Sequence, residues 1–125
     1  MDLGKEQDQL PTVLVVDDEP DVLSATVDLF EGMGYRTCSA RCGGLALEIL
    51  NRNPGIDVLY TDVLMPRMDG VTLARKARAL LPAIKVLLVS GSPDSVADLH
   101  GGEPCEFDFL MKPVLPSEVA FALQR

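Results

Sequence analysis

Four places in this 125-residue chain carry side chains that could do chemistry: Asp17-Asp18-Glu19, Asp62, Ser90 and Lys112. Aspartates brought close together repel one another and raise each other's pKa unless a cation intervenes. A hard, oxygen-preferring ion such as Mg²⁺ resolves that conflict and keeps positions for water and phosphate oxygens. Lysine adds a point positive charge for a phosphate or carboxylate, and serine adds a hydroxyl donor. Acids, cation, lysine and hydroxyl together describe phosphoryl transfer to a carboxylate. Each residue alone has a plainer explanation. The acids could complement a helix N-terminus, Lys112 could be a surface lysine and Ser90-Gly91 a simple turn. Only their convergence carries weight, so the elements that position them decide the matter.

Thr12 to Val16 is a short Val-rich run that suits a strand buried on both faces, and it ends in the acids. Pro20 fits the first turn of a helix, in which Leu23, Val27, Phe30 and Met33 recur at helical spacing before Gly32 and Gly34 stop it. Arg36 to Ala40 reads as a second, more polar strand. Leu45 to Leu50 reads as a short helix with Ala46, Ile49 and Leu50 inward, closed by the turn Asn53-Pro54-Gly55. Ile56 to Thr61 is a third strand leading into Asp62. Val71, Ala74, Ala77 and Leu81 mark the next helix, with Arg75, Lys76 and Arg78 on its wet face.

Lys85 to Ser90 is a fourth, strongly apolar strand. A helix opening at Ser92-Pro93-Asp94 is limited to about two turns by Gly101-Gly102 and Glu103-Pro104. Phe107 to Met111 is a fifth strand, with Phe107, Phe109 and Met111 alternating against Asp108. Pro116 starts a final helix through Val119 and Leu123, and Leu115 is a poor residue to cap it. Residues Met1 to Pro11 are polar and aperiodic, which predicts a flexible tail ahead of one domain over 12–125.

Five strand–helix repeats predict a flavodoxin-like, doubly wound α/β fold, (βα)5, with a parallel sheet covered on both faces. The first, third and fourth strands are apolar throughout and belong in the centre, whereas the second and fifth suit edges. The order 2-1-3-4-5 satisfies this and puts the switch point between strands one and three. Asp17 and Asp18 then converge with Asp62 on one crevice, with Ser90 and Lys112 on the same rim.

Composition narrows the function. A net charge of −8 argues against direct nucleic-acid binding, because phosphate backbones demand a basic surface. No apolar run approaches a membrane span and the start lacks a signal peptide's pattern, so a cytoplasmic protein without membrane contact is expected. Cys38, Cys42 and Cys105 form no CxxC pair and read as free thiols. The single histidine, His100, lies beside two glycines, which excludes a His-rich metal site.

Val15-Val16-Asp17-Asp18-Glu19, Thr61-Asp62-Val63-Leu64-Met65-Pro66 with Met68-Asp69-Gly70, Val89-Ser90-Gly91 and Phe109-Leu110-Met111-Lys112-Pro113 resemble the signature blocks of response-regulator receiver domains. All four occur in family order across residues 12–125. The resemblance implies a two-component phosphorelay in which a histidine kinase or histidine phosphotransfer protein gives its phosphoryl group to Asp62. Asp17, Asp18 and Asp62 would hold Mg²⁺ with the backbone carbonyl of Leu64, Asp18 more directly than Asp17. Lys112 would pair with the phosphoryl group, and its bond to Pro113 is expected to be cis. Ser90 and Phe109 would be the switch residues, biasing the surface of the fourth helix, fifth strand and fifth helix toward a downstream effector or a phosphorylation-linked dimer.

Such a switch phosphorylates and dephosphorylates itself and turns over no outside metabolite, so it is not expected to be an enzyme. Leu64 and Ser92 stand where the family tunes access of hydrolytic water, and the apolar Leu64 is expected to slow self-dephosphorylation. Phe109 in place of Tyr removes a hydroxyl from the switch ring. The Ser90-Gly91-Ser92-Pro93 run resembles receivers attached to hybrid kinases, and both a single-domain regulator and a piece of a longer protein stay open. A Mg²⁺-dependent phosphohydrolase would place its acids as DxD, whereas Asp17 and Asp18 are adjacent. A nucleotide binder would want a Gly-rich or hydroxyl-rich loop where the acids stand.

Overall fold

The computed structural model describes residues 11–91 and 107–124. Five parallel strands, β1 (Thr12–Val16), β2 (Arg36–Ala40), β3 (Val58–Asp62), β4 (Lys85–Ser90) and β5 (Asp108–Met111), form one sheet in the order β2-β1-β3-β4-β5. The described helices are α1 (Pro20–Gly32), α2 (Gly43–Arg52), α3 (Gly70–Leu80) and α4 (Pro116–Leu123). This is the flavodoxin-like arrangement expected from the sequence. The predicted tail up to Leu10 and the helix expected after β4 lie outside the described residues, as do Ser92, His100 and Cys105.

Strand alternation builds two core layers. Leu14, Val16, Leu59, Val86 and Leu88 meet Ala46, Leu50, Val71, Ala74 and Ala77, so α2 and α3 cover one face. Val13, Val15, Val58, Tyr60, Leu87 and Val89 meet Leu23, Phe30, Val119 and Ala122, so α1 and α4 cover the other. Continuous apolar runs in β1, β3 and β4 therefore reflect burial on both sides. Phe30 packs edge-on against both Tyr60 and Tyr35, with ring centroids 5.1 and 6.0 Å apart.

Several local expectations change. The third strand begins at Val58 instead of Ile56 and runs through Asp62, which stands at its carboxyl end as expected, and α2 begins at Gly43, two residues before the apolar pattern does. Arg78 is half-buried instead of lying on the wet face of α3. Its guanidinium sits 5.3 Å from the centre of the Phe107 ring, where a cation–π contact and a long apolar stem favour partial burial. The aromatic alternation of the fifth strand fades outward, from buried Phe107 to exposed Met111, because β5 is a short edge strand. Leu115 offers no side-chain cap, yet α4 is not left open. Glu118 Oε1 accepts the Leu115 N–H at 3.0 Å, the reciprocal half of a capping box.

Candidate functional site

The carboxyl ends of β1, β3, β4 and β5 form one rim. Asp17 follows β1 and still donates its backbone N–H to the Ala40 carbonyl of β2 at 3.2 Å, which keeps it in line with the sheet. Its side chain is buried, and Oδ1 accepts the Glu19 N–H at 2.9 Å. Asp18 and Asp62 are half-buried beside it. Asp17, Asp18 and Asp62 each turn a carboxylate oxygen into a space where the three oxygens lie within 4.8 Å of one another.

Lys112, just past β5, projects into this cluster. Its Nζ lies 3.3 Å from Asp62 Oδ2 and 3.8 Å from Asp17 Oδ2. The Lys112 N–H donates to the Ser90 carbonyl at 2.9 Å, which locks the end of β5 to the end of β4. The Lys112–Pro113 peptide bond is cis. Ser90 is buried at the last position of β4.

The electrostatics follow from crowding. Burial raises the Asp17 pKa above its ordinary value, and Asp62 and Asp18 push the same way. The Glu19 N–H and Lys112 oppose the shift. Burial also pushes the Tyr60 hydroxyl up to about 12, with Asp17 and Asp62 adding to it. One lysine among three acids leaves negative charge in excess. Hard carboxylate oxygens at this spacing suit a hard divalent cation, so the residues present fit Mg²⁺.

The loop after Asp62 is held by its own chemistry. Arg67 takes a left-handed backbone, φ 70°, and the Met68 N–H donates to the Pro66 carbonyl at 2.8 Å. Asp69 caps α3 by accepting the Thr72 N–H at 2.8 Å. Gly70 is the tightest point: a Cβ there would lie 2.2 Å from the Asp62 carbonyl oxygen. Leu64, in this loop, exposes 56% of its surface, and Phe109 is half-buried against the α2–α3 layer.

Among the described residues, the candidate acids, lysine and hydroxyl thus share one rim. Asp17, Asp18, Asp62 and Lys112 meet directly. Ser90 joins through its backbone, Leu64 borders the cluster in the loop, and Phe109 stands one layer back. Two residues were missed. Gly70 entered the sequence reading only as part of a signature block, although close approach to the Asp62 carbonyl requires it to be bare. Thr61 read as strand filler, although it is a fully buried hydroxyl beside Asp62. A hydroxyl inside an otherwise apolar run was the available signal.

Comparison with known proteins gives the same picture. The family described as the response regulator receiver domain matches residues 13–124. The sensor kinase CckA of Brucella abortus (strain 2308) is 37% identical over 110 residues, covering 87% of this chain but only 12% of that kinase. The two-component response regulator ORR5 of Oryza sativa subsp. japonica is 32% identical over 94% of this chain and 89% of its own length. A receiver domain protein of Clostridium thermocellum superposes with a TM-score of 0.81 at 29% identity, covering 92% of each chain. The receiver domain of the hybrid histidine kinase CckA superposes at 0.73 with 34% identity, covering 90% of this chain and 95% of that one.

Proposed function

We propose a function from family and geometry together: the chain belongs to the response regulator receiver domains of two-component systems, and Asp62 is its phosphoacceptor. The observation that carries this is the placement of Lys112 Nζ, 3.3 Å from Asp62 Oδ2, over three converging carboxylates. An Asp62 oxygen would attack the phosphorus of a phosphohistidine. The O–P bond forms as the N–P bond breaks, and the departing imidazole keeps the electron pair and takes up a proton. Lys112 orients the attacking carboxylate and then pairs with a phosphoryl oxygen. Ser90 donates its hydroxyl to another.

Asp17, Asp18, Asp62 and the Leu64 carbonyl would hold Mg²⁺, which when bound neutralises the cluster and the charge of the incoming phosphoryl group. The product adds about −1.5 to −2 charges to the rim. Ser90 and Phe109 respond together and bias the surface carried by β5 and α4, where Met111, Leu115 and Phe121 are exposed.

The donor is a histidine kinase or histidine phosphotransfer protein. An open apolar groove of about 750 Å³, lined by Val22, Ala25 and Leu29 of α1 with Pro113 and Val114, runs beside Lys112 and suits such a docking partner. The domain acts as a cytoplasmic switch and turns over no external metabolite. Among the described residues no helix is long and apolar enough to cross a membrane.

Intact-mass spectrometry after incubation with acetyl phosphate tests the reading. A Mg²⁺-dependent phosphoryl adduct is expected on the wild type and none on Asp62→Asn. An adduct of equal yield on the variant would remove Asp62 from the role.

A further inference from the structure

Among the described residues the rim holds two buried aliphatic hydroxyls, Thr61 and Ser90, and the proposed function uses only Ser90. Thr61, immediately before the acceptor, has no exposed surface. Alternation puts its side chain on the face of Leu59 and Val63, both members of the α2–α3 layer. A hydroxyl in an apolar layer costs free energy unless it is hydrogen-bonded, and valine would fill nearly the same shape without that cost. The Thr61 Oγ1 donates to the backbone carbonyl of Asp62 at 3.0 Å.

The strand ladder explains why that carbonyl takes a side-chain donor. In a parallel sheet the N–H and C=O of one residue face the same neighbouring strand, and successive residues alternate. The Val63 N–H donates to the Val89 carbonyl of β4, so Asp62 faces β1. Pairing between β1 and β3 ends at Val16 opposite Thr61, one residue short of Asp62. The Asp62 carbonyl therefore lies where the two strands part at the switch point. On its other side stands Gly70, whose missing Cβ would lie 2.2 Å from the same oxygen.

We infer that Thr61 is a positioning residue: its hydroxyl, with the bare backbone of Gly70, fixes the Asp62 peptide so that the Asp62 carboxylate stays aimed at the Lys112 ammonium and the incoming phosphorus. The inference rests on Asp62 being the phosphoacceptor. It concerns a backbone hydrogen bond and adds no group to the reacting atoms.

The test is a phosphorylation time course by intact mass, with acetyl phosphate and Mg²⁺, on wild type, Thr61→Val and Thr61→Ser. Melting temperature, Mg²⁺ affinity by calorimetry and the Asp62 carbonyl ¹³C resonance are followed alongside. Thr61→Val is expected to react about five-fold more slowly, the equivalent of one hydrogen bond of about 1 kcal/mol. Mg²⁺ affinity should stay within about two-fold of wild type, since one neutral hydrogen bond is removed and no ligand. The Asp62 carbonyl resonance should move upfield, and Thr61→Ser should restore both rate and resonance. A Val variant as fast as wild type, a loss that Ser does not recover, or an unmoved resonance overturns the inference. Should the Val variant not fold, Thr61→Ala reads the same loss. A wild type that takes no phosphoryl group while binding Mg²⁺ overturns the phosphoacceptor reading instead, and this inference with it.

Discussion

The two ends of the sheet treat aspartate in opposite ways. At the amino end Asp57 is met by donors. Its Oδ2 accepts the Thr12 N–H at 3.0 Å, and its backbone carbonyl accepts the Lys85 N–H at 2.9 Å. Asp108 forms an ion pair with Lys85 close by. At the carboxyl end Asp17, Asp18 and Asp62 face one another around a single lysine, and burial holds Asp17 above its ordinary pKa. The first arrangement ties β1, β3 and β4 together. The second keeps an electrostatic conflict that a bound cation would relieve. Partnered carboxylates stabilise a fold, whereas crowded ones mark a place where something binds.

The sharpest way to break this contrast is steric. Gly70→Ala would set a Cβ 2.2 Å from the Asp62 carbonyl oxygen and 2.9 Å from the Val63 Cα, both backbone atoms that cannot swing aside. Overpacking of this kind costs about 3 kcal/mol, which lowers the melting temperature by roughly 12 °C in a domain of this size. A calorimetric scan within a few degrees of wild type would show that β3 and α3 are not rigidly joined.

A smaller loss is expected at the other end. Asp57→Ala leaves the Thr12 N–H without its carboxylate partner, a cost of about 1 kcal/mol or roughly 4 °C. Mg²⁺ affinity and phosphorylation rate should be unchanged. If calorimetric titration found weakened Mg²⁺ binding, the two ends would not be independent.

The smallest effect has the opposite sign and sharpens the comparison most. A carboxyl whose folded pKa is raised holds its proton more tightly in the fold than in the unfolded chain. Its contribution therefore favours the fold at low pH and is lost as pH rises through the folded value. Asp17→Asn removes that loss. Without metal at pH 7 the variant should melt roughly 2 °C above wild type, a gain of about 0.5 kcal/mol. The gap should close as pH falls toward 3.8, the ordinary value for this carboxyl. The same variant should lose most of the stabilisation that Mg²⁺ gives wild type. Melting below wild type at neutral pH would falsify the idea that the carboxyl end is strained by its own charge.

Much of the site was legible because its members are strand ends. Apolar runs that stop at Asp17, Asp62, Ser90 and Lys112 put two acids, a hydroxyl and a lysine at one level of a parallel sheet, whatever lies between them. Arg78 was misread for the same kind of reason in reverse. Helical spacing puts it beside Arg75 and Lys76, but nothing local shows that the Phe107 ring, far along the chain, comes to lie beneath its guanidinium. The poor cap at Leu115 was correctly read for its own side chain and incompletely read for Glu118, whose carboxylate reaches back to the Leu115 N–H.

Sequence alone determined the strand order, the rim and the identity of its acids, lysine and hydroxyl. Those depend on periodicity and on which strands are apolar on both faces. Tertiary structure decided how closely the groups approach: three carboxylate oxygens within 4.8 Å, and a lysine nitrogen 3.3 Å from one of them. It also decided that Gly70 must be bare and that the Thr61 hydroxyl holds the Asp62 carbonyl. The physical reason is that β1 and β3 separate at the switch point. Where a ladder ends, nearby residues must complete its hydrogen bonds and fill its space, and no periodic pattern records which ones do.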